Sequence, residues 1–168
     1  MILDFFMANT YKTLIESPLG YLEISTDEYF LLSIVFKEEF SKTPEFVPEI
    51  LKKTVSQLNE YFTGKRKTFD IKLKPQGTDF QQKVWNEVKL IPFGTTQSYL
   101  ELAVKTGSKN NTRAVGMANG KNPIPIIIPC HRVIGTSGKL TGYAGGIERK
   151  KWLLQHELKY SNRSDLLF

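Results

Sequence analysis

The hydrophobic pattern of this 168-residue chain changes its period once, close to residue 75. Short apolar or alternating segments separated by turn residues occupy residues 12–36, which predicts an antiparallel β-meander. Beyond residue 78 the apolar side chains recur every three or four positions, a spacing typical of helices. Because residues 74–77 (Lys-Pro-Gln-Gly) suit a link, we expect two domains, an α/β unit at 1–75 and a mostly helical unit at 76–168.

The first half offers structural elements but no reactive groups. Pro48 suits the first position of a helix, whose apolar spacing continues to Phe62 and which Gly64 would end. Residues 69–73 alternate and predict one more strand, whereas the charged residues 37–46 predict a loop. This half contains neither cysteine nor histidine and has no glycine-rich phosphate loop, so we expect the chemistry in the second half.

Two short helices joined by a glycine-containing turn give the second half the outline of a helix-turn-helix. Ser98 and Glu101 form a capping box that begins the first of these helices, and Gly107 ends it. Residues 112–119 form the second. The outline indicates DNA binding only weakly, because many helix pairs that bind no DNA share it.

The second of these helices has features of a groove-facing segment. Arg113 lies at its N-terminal end, and Ala114 and Gly116 are small enough to let its backbone approach another surface. Tight packing within the protein would explain Gly116 equally well. Residues 75–168 carry 13 Lys and Arg against 6 Asp and Glu, a net +7, whereas residues 1–74 carry 10 against 11, a net −1. A basic surface attracts phosphate, although on charge alone a solvated surface is an equal explanation.

Cys130 is the only cysteine of the chain, and one of the two histidines, His131, stands beside it in an apolar run that predicts a buried strand. A free cysteine in such a run normally packs like a small hydrophobe. Nearby prolines and an adjacent imidazole and guanidinium favour a nucleophile instead, because an imidazole is the usual means of forming a thiolate near neutral pH. Adjacent side chains of a strand point to opposite faces, so a water or a backbone bend has to link Cys130 to His131.

The last predicted helix, which begins near Ile147, supplies a third candidate. Glu157 lies four residues after Leu153 and three after Leu154, which places its carboxylate at the edge of an apolar helix face. A carboxylate buried there needs a positive or hydrogen-bonding partner, and we expect Glu157 to orient His131. A solvated position at the edge of the face is the alternative.

Other classes of protein fit the sequence less well. One cysteine and two histidines do not supply the closed ligand set of a zinc site, so we predict no metal and no other cofactor. No stretch has the roughly 18–20 apolar residues of a membrane span. The N-terminal residues lack the basic flank and the cleavage site of a signal peptide. A single cysteine fits a reducing cytoplasm. A cysteine peptidase would also use Cys and His, but nothing here specifies its oxyanion hole. Residues 161–168 are expected to be loosely held.

Together these motifs resemble those of the O6-alkylguanine-DNA alkyltransferase family, also called methylated-DNA–protein-cysteine methyltransferases. The most specific match is the run Pro129-Cys130-His131-Arg132-Val133. Further matches in the second half are Asn122-Pro123, Gly142-Tyr143, Gly145-Gly146, Phe80-Gln81, Val84-Trp85, Ile91-Pro92-Phe93-Gly94, Ser98-Tyr99 and Arg113-Ala114-Val115-Gly116. A weaker likeness extends over the first half through Ser17-Pro18-Leu19-Gly20 and Tyr61-Phe62-Thr63-Gly64.

The resemblance implies a small N-terminal α/β domain like ribonuclease H, followed by a helical, winged-helix or helix-turn-helix-like DNA-binding domain that carries the reactive cysteine. It implies direct-reversal repair by a monomer, which flips O6-alkylguanine, with O4-alkylthymine as a second candidate, out of double-stranded DNA and takes the alkyl group irreversibly. The roles it assigns are catalysis by Cys130, His131, Glu157 and Asn122; DNA binding and base flipping by Tyr99, Arg113, Ala114 and Gly116; and an alkyl pocket of Asn119, Pro125, Tyr143, Ala144 and Gly145.

The sequence departs from some relatives at informative positions. Some members bind structural zinc in the N-terminal domain, where this chain has neither Cys nor His. Ala144 stands where some members carry a serine, so a side-chain hydrogen bond is lost there. Relatives without the cysteine bind lesions but do not repair them. Cys130 is present, which argues against the alternative function of a non-catalytic lesion sensor or regulator.

Overall fold

The computed structural model describes residues 9–39 and 47–161. Most of the loop expected at 37–46 and of the tail expected at 161–168 lies outside this part of the chain. Within it, no helix is long and apolar enough to cross a membrane, and no group of three or more His, Cys, Asp or Glu side chains is placed to hold a metal ion.

The described elements, in chain order, are β1 (Tyr11–Ser17), β2 (Gly20–Thr26), β3 (Leu31–Lys37), α1 (Glu49–Phe62), α2 (Asp79–Lys89), β4 (Gln97–Ser98), α3 (Tyr99–Lys105), α4 (Thr112–Gly120), β5 (Val133–Ile134) and α5 (Ile147–Tyr160), with 3-10 turns at Lys109–Asn111 and Cys130–Arg132. The fold is therefore a mixed α/β chain whose strands lie mainly in the first half and whose helices lie mainly in the second, as the change of hydrophobic period predicted.

The predicted β-meander is confirmed, since β1, β2 and β3 pair antiparallel in that order. Alternate residues of β2 and β3, including Leu22, Ile24 and Ile34, are buried and form an apolar layer. α1 packs on the sheet and contributes Leu51 and Leu58 to the same core. The sheet and α1 thus form the small α/β unit expected in the first half.

The strand predicted at residues 69–73 does not form. A single bridge joins Leu73 to Leu31 in β3, where the Leu31 amide donates to the Lys72 carbonyl at 2.8 Å. The backbone before this bridge has a different hydrogen-bond partner, because the Asp70 amide donates to the side-chain oxygen of Gln57 in α1 at 2.9 Å. A side chain from α1 has replaced the neighbouring strand as hydrogen-bond partner, so alternation here marks an extended segment and not a strand.

The helix-turn-helix outline of the second half is present. α3 and α4 are joined by the 3-10 turn at Lys109–Asn111, and α4 packs against both α2 and α3. Trp85 of α2 is buried and its ring nitrogen donates to the Ala118 carbonyl of α4 at 2.9 Å. The predicted capping box of α3 is confirmed, because the Ser98 hydroxyl accepts from the Glu101 amide at 3.1 Å and the Glu101 carboxylate accepts from the Ser98 amide at 2.7 Å.

The strand predicted around Cys130 is wrong. Cys130–Arg132 form a 3-10 turn, and only β5 is extended, pairing parallel with β4. A ladder cannot continue through the three prolines before Cys130, which lack an amide donor. The last of them, Pro129, instead lies at the centre of an inverse γ-turn, in which the Cys130 amide donates to the Ile128 carbonyl at 2.8 Å.

The capping box of α3 gives a test of the fold. Ser98→Ala should lower the free energy of unfolding by about 1 kcal/mol, because it leaves an amide of the first turn without its partner. Urea denaturation followed by circular dichroism measures the change. Ser56→Ala, on the exposed side of α1, is the matched control and should be neutral or slightly stabilising, since alanine is the better helix former. An equal loss in both variants would contradict the role of the cap.

Candidate active site

Two asparagines fix the surroundings of Cys130. The Asn122 side-chain amide donates to Sγ at 3.1 Å and to the Ile128 carbonyl at 2.8 Å, and the Asn119 amide donates to the Cys130 carbonyl at 3.2 Å. Burial raises the pKa of the Cys130 thiol to about 11, although the hydrogen bond from Asn122 and the charge of Lys150 oppose this shift. The resting group is therefore a protonated thiol, which needs a base before it can act as a nucleophile.

Glu157 is buried, not solvated at the edge of its helix, and five hydrogen bonds converge on its carboxylate. Oε1 accepts from His131 Nε2 at 2.7 Å, from the Tyr61 hydroxyl at 2.8 Å and from Arg132 Nη2 at 2.9 Å. Oε2 accepts from Arg132 Nε at 2.9 Å and from the Gly94 amide at 3.0 Å. Burial alone would raise the pKa of Glu157, but the interactions with His131 and Arg132 outweigh it and hold the pKa well below its usual range.

The contact with Glu157 decides which nitrogen of His131 can accept a proton. Burial lowers the pKa of His131, and the charges of Arg132 and Lys150 add to this effect against the opposing pull of Glu157, so the ring is neutral. Because Glu157 is ionised and can only accept, Nε2 carries the hydrogen and Nδ1 has the free lone pair. Nδ1 is buried and has no hydrogen-bond partner among the described residues. The imidazole is thus a neutral base with its lone pair on Nδ1.

Sequence reasoning noted Arg132 only as a neighbour of the cysteine and overlooked Lys150. Arg132 donates three hydrogen bonds, the two to Glu157 and one from Nη1 to the Ile91 carbonyl at 2.6 Å. Lys150 is buried in α5, and its Nζ donates to the carbonyls of Val133 at 2.6 Å and Thr141 at 2.9 Å. Burial lowers the pKa of Lys150 to about 8. A signal was present, since Lys150 precedes Glu157 by seven residues and so shares its helix face.

The residues assigned to DNA contact lie on α3 and α4. Arg113 and Ala114 are exposed on the first turn of α4, and Met117, on the same face by its helical spacing, is 61% exposed. A Cβ added at Gly116 would lie 3.8 Å from the Tyr99 ring, an ordinary contact. Packing within the protein therefore does not require glycine at this position, which argues against tight internal packing as the explanation for its small size.

The residues assigned to the alkyl pocket differ in burial. Asn119, Pro125 and Gly145 are buried, and Asn119 touches the cysteine turn directly. Tyr143 is half-buried, its hydroxyl has no hydrogen-bond partner among the described residues, and burial together with nearby Cys130 raises its pKa. Ala144, by contrast, is exposed. The structure thus brings Asn119 and Tyr143 to the cysteine and leaves the Ala144 side chain facing solvent.

The fold and the cysteine site match one class of DNA-binding protein. The ribonuclease-like domain of 6-O-methylguanine DNA methyltransferase matches residues 10–75, and the DNA-binding domain of the same proteins matches residues 79–159. The chain belongs to the 6-O-methylguanine DNA methyltransferase family.

Relatives cover nearly the whole chain. The methylated-DNA–protein-cysteine methyltransferase of Methanosarcina acetivorans is 45% identical over 88% of this chain and 97% of its own length. The protein of that name from Mycobacterium bovis is 48% identical over 88% of this chain and 91% of its own. The crystal structure of Mycobacterium tuberculosis OGT in complex with DNA superposes with a TM-score of 0.82 at 47% identity, covering 90% of this chain and 94% of that one.

The buried Glu157 should make stability depend on pH. Glu157→Gln should lower the free energy of unfolding near pH 7 by about 3–5 kcal/mol, because Arg132 would stay buried without its counter-charge. The pKa of Glu157 is lowered on folding, so the unfolded chain binds more protons in acid. The stabilisation is present above the ordinary carboxyl value of 4.5 and is lost as the pH falls below it.

The gap in stability between the wild-type protein and Glu157→Gln should therefore narrow in acid. Urea denaturation between pH 7 and pH 3 measures this gap. Glu148→Gln, which replaces an exposed carboxylate at the start of α5, is the matched control and should differ little from the wild-type protein throughout. A gap for Glu157→Gln that keeps its size at low pH would contradict the assignment.

Proposed function

We propose that this protein repairs DNA by direct reversal, transferring the alkyl group of O6-alkylguanine in duplex DNA to Cys130. The observation that carries the proposal is the arrangement at the cysteine turn, where a buried thiol stands beside a neutral histidine that Glu157 holds with its free lone pair on Nδ1. Membership of a family whose named relatives act on methylated DNA supports the same activity.

The thiol is activated by proton transfer to His131. Cys130 and His131 are consecutive residues of a turn, and Nδ1 is the one ring atom able to take a proton. The sulfur is hydrogen-bonded to Asn122 and not to His131. We therefore propose that a water passes this proton from Sγ to Nδ1. Asn122 and the positive charge of Lys150 then stabilise the thiolate, because each favours the charged form of the sulfur.

Alkyl transfer is an in-line displacement at the alkyl carbon. The thiolate electron pair forms the S–C bond, the C–O6 bond breaks, and its electron pair leaves with the base. The base takes up one proton and becomes guanine, so the proton lost by Cys130 balances the proton gained. The product is a thioether without a good leaving group, so each molecule acts once.

The base must leave the duplex before it can meet a buried thiol. We propose that α4 enters the DNA minor groove, that Arg113 fills the space of the extruded base and that Tyr99 helps to rotate the damaged nucleotide. The exposure of Arg113, Ala114 and Met117 on one face, and the room beside Gly116, support this placement. Tyr143 and Asn119 would then line the pocket that receives the alkyl group.

We infer a monomer that binds double-stranded DNA, with domains at 1–75 and 76–168. O4-alkylthymine is a second candidate substrate, because it presents the same alkyl–oxygen bond. A single free cysteine is typical of a reducing compartment, so we infer a location in the cytoplasm.

The transfer can be read from the intact mass of the protein. After incubation with a duplex oligonucleotide that contains one O6-methylguanine, the wild-type protein should gain one CH₂, located on Cys130 by peptide mapping. Cys130→Ala should bind the same duplex and gain nothing. Binding by the wild-type protein without a change in mass would identify a lesion sensor instead. The absence of binding would contradict both the alkyl transfer and the lesion-sensor hypotheses.

Arg113 should matter for duplex substrates and not for a free base. If Arg113 recovers about 1.4 kcal/mol of the cost of unstacking, Arg113→Ala slows repair of duplex O6-methylguanine about tenfold while its reaction with free O6-benzylguanine is unchanged. Single-turnover rates on the two substrates measure the difference. Lys121→Ala removes an exposed cation at the other end of α4 and is the matched control. Equal slowing of both reactions by Arg113→Ala would contradict base flipping by this residue.

A further inference from the structure

Tyr61, near the C-terminal end of α1, is held at both ends by consecutive residues of α5. Its hydroxyl donates to Glu157 Oε1 at 2.8 Å, and its carbonyl accepts a hydrogen bond from His156 Nε2 at 2.8 Å. Its side chain is completely buried. Since α1 belongs to the first half of the chain and α5 to the second, Tyr61 brings a group from the N-terminal half into the candidate active site.

Packing leaves the Tyr61 ring little freedom to move. It contacts four rings at centroid distances between 5.2 and 6.1 Å, those of Phe62, Phe69, Phe93 and His156. The end of α1 is also fixed, because Gly64 has a positive φ of 76° and a Cβ there would collide with the Tyr160 ring of α5. The hydroxyl therefore reaches Glu157 from a fixed direction.

We propose that Tyr61 is a positioning residue for alkyl transfer, whose hydroxyl holds Glu157 Oε1 in line with His131 Nε2 and limits how strongly this carboxylate attracts the His131 proton. The inference rests on the proposed function, because it concerns the base of that reaction. Tyr61 touches neither Cys130 nor DNA in this proposal. It acts through Glu157, and Glu157 acts through His131.

The electrostatic consequence follows from the sharing of Oε1. Three donors, from Tyr61, His131 and Arg132, divide the negative charge of this oxygen. Burial and the nearby Glu157 carboxylate raise the pKa of Tyr61 well above its ordinary value, so the hydroxyl keeps its proton and donates it to this carboxylate. Without this donor the carboxylate would present more charge to His131 and would stabilise the imidazolium form. The histidine would then become charged, and unable to accept the thiol proton, at a higher pH.

Several other ionisable groups face the same pair and stay in place when the Tyr61 hydroxyl alone is removed. They come from the cysteine turn, from α5 and from the loop before α5, and they are Cys130, Arg132, Lys150, His156 and Tyr143. A change in pH dependence after removal of the Tyr61 hydroxyl is therefore attributable to this donor.

The test is the pH profile of alkylation by Tyr61→Phe, which keeps the ring packing and removes the donor. Single-turnover rates with free O6-benzylguanine avoid any effect on DNA binding. We expect the acid limb of the profile, where the rate is half its maximum, to move to higher pH by about 0.5–1 unit. Replacement of Tyr61 by 3-fluorotyrosine strengthens the donor, because fluorine withdraws electrons from the hydroxyl, and should move the limb to lower pH.

Tyr160→Phe is the matched control, since it removes a hydroxyl from the same aromatic cluster and should leave the profile unchanged. If Tyr61 only holds α1 against α5, Tyr61→Phe lowers the unfolding temperature without moving the acid limb, and the proposal is overturned. If Tyr61→Phe does not fold, the 3-fluorotyrosine protein decides, and an unmoved limb rejects the proposal. Failure of the wild-type protein to take up any alkyl group would instead reject the proposed function itself.

Discussion

The rest of the site depends on the burial of one ionised carboxylate. A charge taken out of water is costly unless hydrogen bonds and an opposite charge compensate it, and Glu157 receives both from five donors. The donors come from α1, from the loop after α2 and from the cysteine turn. Each segment must therefore adopt one particular backbone conformation if the carboxylate is to keep all its hydrogen bonds. Gly94 shows the requirement most directly, because its amide reaches Glu157 from a positive φ of 70°, with no room for a Cβ beside Ser161.

This compensation also links structure to chemistry. Arg132 neutralises the charge of Glu157, so His131 need not be protonated to stabilise the carboxylate and is left neutral. Glu157 in turn fixes the tautomer, since an ionised carboxylate accepts the Nε2 hydrogen and leaves the lone pair on Nδ1. The buried ion pair of Arg132 and Glu157 thus also determines which atom of the active site is basic.

Local patterns predicted the elements and the ionisable candidates but not their partners. The β-meander, the capping box at Ser98 and the helix carrying Glu157 follow from spacing that operates within a few residues. The strand predicted at 69–73 does not form, because the Asp70 amide donates to the Gln57 side chain, a partner 13 residues away. The strand at Cys130 failed because prolines favoured a γ-turn. The contact between Tyr61 and Glu157 spans 96 residues, and no local pattern contains it.

The raised pKa of Cys130 suits a protein that reacts only once. The thiolate is the form of cysteine that reacts with oxidants and binds metals. Oxidation of this cysteine would inactivate the molecule without any repair. Burial keeps the sulfur protonated, and its exposure of 3% keeps solutes away from it. In the proposed mechanism reactivity then depends on proton transfer to His131, which Glu157 holds with its free lone pair on Nδ1. The proposed mechanism therefore separates two requirements: the apolar surroundings of Cys130 suppress reaction with solutes, and the buried charge network behind His131 would supply the base for a flipped nucleotide.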